Sequence, residues 1–248
     1  MFIDKVHKIL QVAKNKNKKY SPYFDILQNI LKSHHPVKRR KRAILISTGS
    51  FCPIHKGHLK LLDIAASFLA KEHKIDTLLG IISPKSDLFV SLKYGESAIG
   101  FEDRCEMSRL ACEEHNSQKS GNEETVHIVT DTWDGSQIDF IDFQFVYNRL
   151  KKEINEKFPA ENLLVLFVCG GDMFNGRQCS KREFIVGISR KAFRIETKTD
   201  IEKNLYICND QMKEEELNIK VTKDNFEHVK VNVHKSVCNF LHDVVHWI

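Results

Sequence analysis

Long hydrophobic runs are missing from this sequence. No stretch approaches the ~18 consecutive apolar residues that a membrane-spanning helix needs, so a membrane is not expected as a partner. The opening Met1-Phe2-Ile3-Asp4-Lys5 has neither an apolar core nor a cleavage-site pattern, and a secretory route is not expected. Paired cysteines are missing as well. Cys52, Cys105, Cys112, Cys169, Cys179, Cys208 and Cys238 make an odd count with no CxxC spacing. That argues against a disulfide framework or a zinc cluster and reads as reduced thiols in the cytoplasm or nucleus. There is no internal repeat, and charge of one sign is only mildly in excess: 38 basic against 33 acidic side chains, a formal +5.

What is present suits a soluble domain with an appendage. The 248 residues are 42% hydrophobic, enough for a sizeable core, and 29% charged. Much of the basic excess falls in residues 1–42, in Lys14–Lys19 and in Lys38-Arg39-Arg40-Lys41-Arg42. Such a pentamer is compatible with a nuclear address or a nucleic-acid patch. The plainer reading, a solvated linker ahead of the first strand, is preferred, and nucleic acid is not expected as a partner. Residues 1–42 are therefore set apart as a basic helical extension, with the main domain over 43–248. Within the extension, Val6, Ile9, Leu10, Val12 and Ala13 line one helical face, Tyr23, Ile26, Leu27, Ile30 and Leu31 another, and His34-His35-Pro36 ends the segment.

Beyond residue 42, short apolar runs alternate with longer amphipathic ones. Ala43–Ile46, Thr77–Ser83, Val126–Thr130, Leu163–Cys169, Phe184–Ser189 and Leu205–Cys208 read as strands. Leu59–Leu69, Phe101–His115 and Phe143–Lys157 read as helices, with a last one opening near Lys235. This alternation predicts an α/β fold, a Rossmann-like doubly wound parallel sheet covered on both faces. In that architecture ligands bind beyond the carboxyl ends of the strands.

The first strand runs into Gly49-Ser50-Phe51-Cys52-Pro53-Ile54-His55-Lys56-Gly57-His58 and then a helix. Gly49 permits a tight turn and close backbone approach to a ligand. The new helix offers unpaired N–H groups and the positive end of its dipole, which suit phosphate. His55 and His58, three apart, add imidazole donors on the same side. An HxxH pair can also be half a zinc site, but no Cys, Asp or Glu stands nearby at the usual spacing, and no metal site is expected.

The string G-S-F-x-P-x-H-x-G-H resembles the signature of the HxGH nucleotidyltransferases. Later segments are similar to the nicotinamide/nicotinate mononucleotide adenylyltransferases within that superfamily: Gly80-Ile81-Ile82-Ser83-Pro84, the Phe101–Ala111 helix with Arg104 and Met107, Asp131-Thr132-Trp133, Cys169-Gly170-Gly171-Asp172 and Ile188-Ser189-Arg190. The resemblance runs in order from about residue 43 to 195. It implies transfer of the adenylyl group of ATP to nicotinamide or nicotinate mononucleotide, with Mg²⁺ accompanying ATP and homo-oligomer formation left open. Gly49, Ser50 and Phe51 would line the site, and His55 and His58 would stabilise the triphosphate. Trp133 would hold the pyridine, Gly170 and Asp172 the adenosine ribose, and Arg190 would add charge; Thr132 is placed with them among the substrate-binding residues. Taken alone, Arg104 reads as a solvated helix charge.

The sequence departs from the family pattern at the I-S-S-T-x-x-R phosphate clamp near the carboxyl end, which is absent. Val233-His234-Lys235-Ser236 is the nearest substitute, and Arg190, Lys223 and Lys235 are the cations from which a replacement would come. Two alternatives therefore stand beside adenylyl transfer: a catalytically degenerate relative that binds nucleotide or serves as a scaffold, and another HxGH-class nucleotidyltransferase.

Overall fold

Strand β1 (Lys41–Gly49) shows how the chain builds two layers from one sheet. Ala43 and Leu45 join one apolar cluster, while Ile44 and Ile46 join another on the opposite side, as the two-residue period of a strand requires. The same split recurs in β4 (Leu164–Gly170), where Leu166 and Val168 face one way and Val165, Phe167 and Cys169 the other. Such strands are buried on both faces and read as unbroken apolar runs. The computed structural model describes residues 23–33, 40–118, 125–137, 141–209 and 233–242. The helix expected at Val6–Ala13, the His34–Pro36 turn and Lys223 lie outside the described residues.

Six parallel strands form the sheet: β1, β2 (Ile75–Pro84), β3 (Ile128–Thr130), β4, β5 (Ile185–Ile188) and β6 (Leu205–Cys208), in the order β3-β2-β1-β4-β5-β6. One face is covered by α2 (Lys56–His73), α3 (Asp87–Tyr94), α4 (Phe101–Ser117) and α7 (Lys235–Phe240). The other is covered by α1 (Tyr23–Ser33), α5 (Phe143–Lys157) and α6 (Gly171–Gly176). The architecture is thus the Rossmann-like α/β arrangement that the alternation predicts. Periodicity did not reveal α3 and α6. They are short, eight and six residues, and α3 buries only Val90.

Residues placed in the extension take part in this body. Tyr23 and Leu27 of α1 are fully buried, and Tyr23 donates its hydroxyl to Glu153 of α5 at 2.8 Å. Arg40 pairs with Asp76 and Arg42 with Glu161, each at 2.5 Å. The described end of the basic run is therefore anchored to the fold, and β1 already begins at Lys41.

Candidate nucleotide site

β1 and β4 are neighbours, and the chain leaves them toward opposite sides of the sheet. Crevices form at such switch points. A cavity of about 630 Å³ opens there, between the turn after β1 and the turn after β4.

The first wall is the segment from Gly49 to His58. Its left-handed backbone lies at Phe51 (φ 45°) and not at Gly49. The glycine is needed for space, because a Cβ there would stand 2.8 Å from the Phe51 ring. A bulky residue with positive φ is costly and persists only where its surroundings enforce it. Here Phe51 is buried and sets its ring edge against His58, centroids 5.0 Å apart. The chain then passes a cis Cys52-Pro53 bond and enters α2 with His55 as its extended N-cap.

His58 is locked from two sides. Its Nδ1 accepts the His55 backbone N–H at 3.1 Å, and the His55 ring lies 3.7 Å from it, centroid to centroid. With Nδ1 used as an acceptor, the neutral ring carries its proton on Nε2. Burial drives His55 down to about pH 4, helped by the positive groups His234 and Arg190. Burial likewise holds His58 well below its ordinary value, with His55, Lys93 and Arg190 adding to the effect. Both rings are therefore neutral at pH 7 in the empty protein. His55 Nδ1 is buried and has no hydrogen-bond partner among the described residues. No acidic residue occupies the first turn of α2, so its amides and two imidazoles present donors to the cavity.

The second wall comes from β4 and β5. Gly170 ends β4, and α6 starts at Gly171, where a Cβ would come 1.9 Å from the Phe193 carbonyl oxygen. That close approach lets the loop after β5 lie against α6 and brings Arg190 to Asp172, to which it donates a hydrogen bond. The Arg190 guanidinium also lies 5.2 Å from the centroid of the Phe193 ring. Asp172 and Arg190 thus offset each other's charge in the wall where they were expected to meet separate parts of ATP.

Behind the first wall stands Arg104, fully buried. Its Nε donates to the Ile99 carbonyl at 2.8 Å, and Nη1 donates to those of Ser50 at 3.0 Å and Lys85 at 2.7 Å. Nη2 pairs with Asp87 at 2.9 Å. One guanidinium thereby ties the ends of β1 and β2 to the start of α3. The reading of Arg104 as a solvated charge is corrected. The signal was present: Phe101, Arg104, Met107, Ser108, Ala111 and Cys112 share the buried face of α4 at helical spacing.

Sequence reasoning also missed a second support. Lys85, just after β2, pairs with buried Asp134 at 2.9 Å and donates to the Ile141 carbonyl at 2.8 Å. Burial pushes the Asp134 carboxyl up to about 6 against the pull of Lys85. Asp131 accepts from Ser83 at 3.1 Å and pairs with Arg149.

Of the expected site residues, Gly49, Ser50, Phe51, His55, His58, Gly170, Asp172 and Arg190 all line the cavity. Thr132 and Trp133 do not. They follow β3, two strands away from β1, and the Trp133 ring carries the Arg149 guanidinium 4.7 Å from its centroid. Arg149 is held there by Asp131 and Glu153.

The start of α7 was the local substitute for the missing clamp, and it is already capped. Glu114 of α4 accepts the Ser236 N–H at 2.8 Å and the Lys235 N–H at 3.2 Å. Burial pushes the Glu114 carboxyl up, but these hydrogen bonds outweigh it and hold the group below its ordinary value. Lys235 does not line the cavity, while Arg190 does.

The strand order and the crevice at the switch point define a Rossmann-like α/β protein. More narrowly, the chain belongs to the cytidylyltransferase-like family, which it matches over residues 46–212, well over half its length. It is also similar to a nicotinamide/nicotinic acid mononucleotide adenylyltransferase of Schizosaccharomyces pombe, 24% identical over 138 residues. That match takes in 52% of this chain and 34% of the relative, so it spans about a third of the relative's length. The matched region is a nucleotidyltransferase-like domain. No described helix is long and apolar enough to cross a membrane.

Proposed function

We propose that this chain transfers the adenylyl group of ATP to nicotinamide or nicotinate mononucleotide, giving NAD or its deamido form. The observation that carries the reading is the open start of α2. His58 is fixed by the His55 backbone, His55 Nδ1 has no protein partner among the described residues, and both rings face a cavity at the switch point. A phosphate oxygen of the mononucleotide attacks the α-phosphorus of ATP. The bond from that phosphorus to the bridging oxygen breaks, and pyrophosphate leaves. No protein nucleophile is required, because positioning and charge stabilisation lower the barrier. The His58 Nε2–H and the α2 amides serve the triphosphate. Arg190, released from Asp172 by the ligand, adds charge, and Asp172 is then free to accept from the ribose hydroxyls.

Mg²⁺ is proposed as the companion of ATP. Among the described residues no group of three or more His, Cys, Asp or Glu side chains is arranged to hold a metal ion. The ion is therefore assigned to phosphate oxygens and water. When bound it neutralises phosphate charge.

The pyridine is assigned to the wall opposite Arg190. Phe89 and Tyr94 line the cavity, and a flat ring packs against aromatic side chains of this kind; Phe143 also lines it, but its ring is stacked on Phe167 and carries the Arg182 guanidinium. Trp133, to which the resemblance assigned this role, lies beyond that wall.

A second reading is supported by the Glu114 cap. The start of α7, the nearest substitute for the missing phosphate clamp, is already occupied and does not line the cavity, as in a relative that binds nucleotide without turnover. Incubation with ATP, Mg²⁺ and each mononucleotide separates the two. Dinucleotide and pyrophosphate are expected. ATP binding with no product from either acceptor would leave the degenerate reading in place.

A further inference from the structure

Lys85 is an uncommon object, a lysine that is only 6% exposed and yet is among the residues lining the cavity. An ammonium has three N–H donors. One is donated to the Ile141 carbonyl at 2.8 Å, and Asp134 pairs with the ammonium at 2.9 Å. Among the described residues no partner takes the third. The backbone N–H of Lys85 donates to Gly49 at 2.9 Å, which keeps the residue beside the end of β1, on the side away from Arg190. It shares that part of the wall with Phe89 and Phe143.

We propose that Lys85 binds an anionic substituent on the ring of the acceptor, so that the site selects the nicotinate over the nicotinamide mononucleotide. The assignment rests on the adenylyl-transfer reading. With the acceptor's phosphate against the α-phosphorus of an ATP held by His55 and His58, its ring lies toward the aromatic wall, where Lys85 is a cationic donor fixed by its protein partners and Lys93, over the Tyr94 ring, is the second lysine of the lining. A carboxylate there receives a charge-assisted hydrogen bond, roughly twice as strong as the neutral one an amide oxygen receives. Asp134 already balances one charge, so the ammonium is retained in the wall without a ligand. The ring carboxylate then meets a donor already oriented by two anchors. Such pre-organisation favours binding.

The test is calorimetric titration of both mononucleotides into the wild-type protein, Lys85→Met and Lys85→Met/Asp134→Asn. The double variant removes both charges and leaves no unpaired buried carboxylate. The wild type is expected to bind the acid at least ~10-fold more tightly than the amide. Both variants should weaken the acid by about 10-fold or more and the amide by less than about threefold, which collapses the preference. Equal affinities in the wild type overturn the assignment. So does equal weakening of both ligands, which would place the ammonium on the phosphate they share. Absence of binding by either also overturns it. Product formation is scored separately. Dinucleotide from both acceptors with no Lys85-dependent preference keeps adenylyl transfer and removes this inference. Acid-selective binding without product keeps the inference and removes turnover.

Discussion

Two helix starts lie near each other in this molecule, and they differ in one respect. The start of α2 carries no acidic cap and faces the cavity with two neutral histidines. The start of α7, whose N-cap His234 is close enough to His55 to help lower its pKa, holds the Glu114 carboxylate on its first amides. Both present backbone N–H groups at a helix start. The protein has supplied its own anion to one and left the other for a ligand. A sequence signature for a helix start is therefore half of a phosphate site. The other half is the absence of an internal carboxylate, which depends on a residue about 120 positions away along the chain.

The largest effect is expected on the support of the open start. Arg104→Met leaves the Ile99, Ser50 and Lys85 carbonyls without their buried donor. The cost is about 2–4 kcal/mol of unfolding free energy, read by urea denaturation. A change under ~0.5 kcal/mol would mean that the strand ends hold without the guanidinium. His58→Ala should come next, with the fold intact and turnover reduced by on the order of 10²-fold or more, as for loss of a preorganised donor. Near-normal rates would remove His58 from the mechanism.

How much of this contrast could be read beforehand depends on how local its causes are. The β1-to-α2 turn was legible because its glycine, histidines and apolar strand are contiguous. The double-sided sheet was legible because each strand is an unbroken apolar run. Trp133 stands against Arg149, which Asp131 holds, and these residues meet only in the folded chain, so its surroundings were not legible in the sequence. Asp172 and Arg190 both line the cavity, but their mutual pairing is a matter of distance that spacing along the chain does not show. Residue type alone suggests a solvated Arg104, whereas its position on the buried face of α4 shows it to be internal.

The histidines also give the open start a pH signature. Burial lowers His55 to about 4 and His58 well below its ordinary value, so between those values and the unfolded value near 6.5 the unfolded chain binds more protons than the folded one. Their contribution to stability is present above pH 6.5 and falls as pH falls through that window. A bound polyphosphate reverses the preference, because its charge favours the imidazolium. Affinity for inorganic triphosphate should therefore rise as pH drops from 7.5 to 5.5, by up to ~10-fold per pH unit for each proton taken up. Calorimetry in buffers of different ionisation enthalpy counts those protons. A pH-independent affinity would show that the ligand does not reach the histidines.

The closed start should respond least. Lys235→Ala is expected to change ATP·Mg affinity by less than about twofold, because Lys235 does not line the cavity. Arg190→Ala should weaken it by about 10-fold or more, in line with loss of a charge-assisted contact. Glu114→Ala removes the cap from α7 and should cost about 1 kcal/mol of stability, the usual scale for a lost helix cap. Its effect on turnover should be small, since the α2 donors are untouched. This variant is the sharpest test of the contrast. If the internal carboxylate only completes the fold, ATP affinity stays where it was once Glu114 is gone. If it instead shields a second phosphate position, freeing the Lys235 and Ser236 amides should tighten ATP by ~10-fold or more, an anion at a partly buried helix start being worth up to about 2 kcal/mol. That outcome would make the two starts parts of one site, with Glu114 standing where a phosphate would otherwise lie.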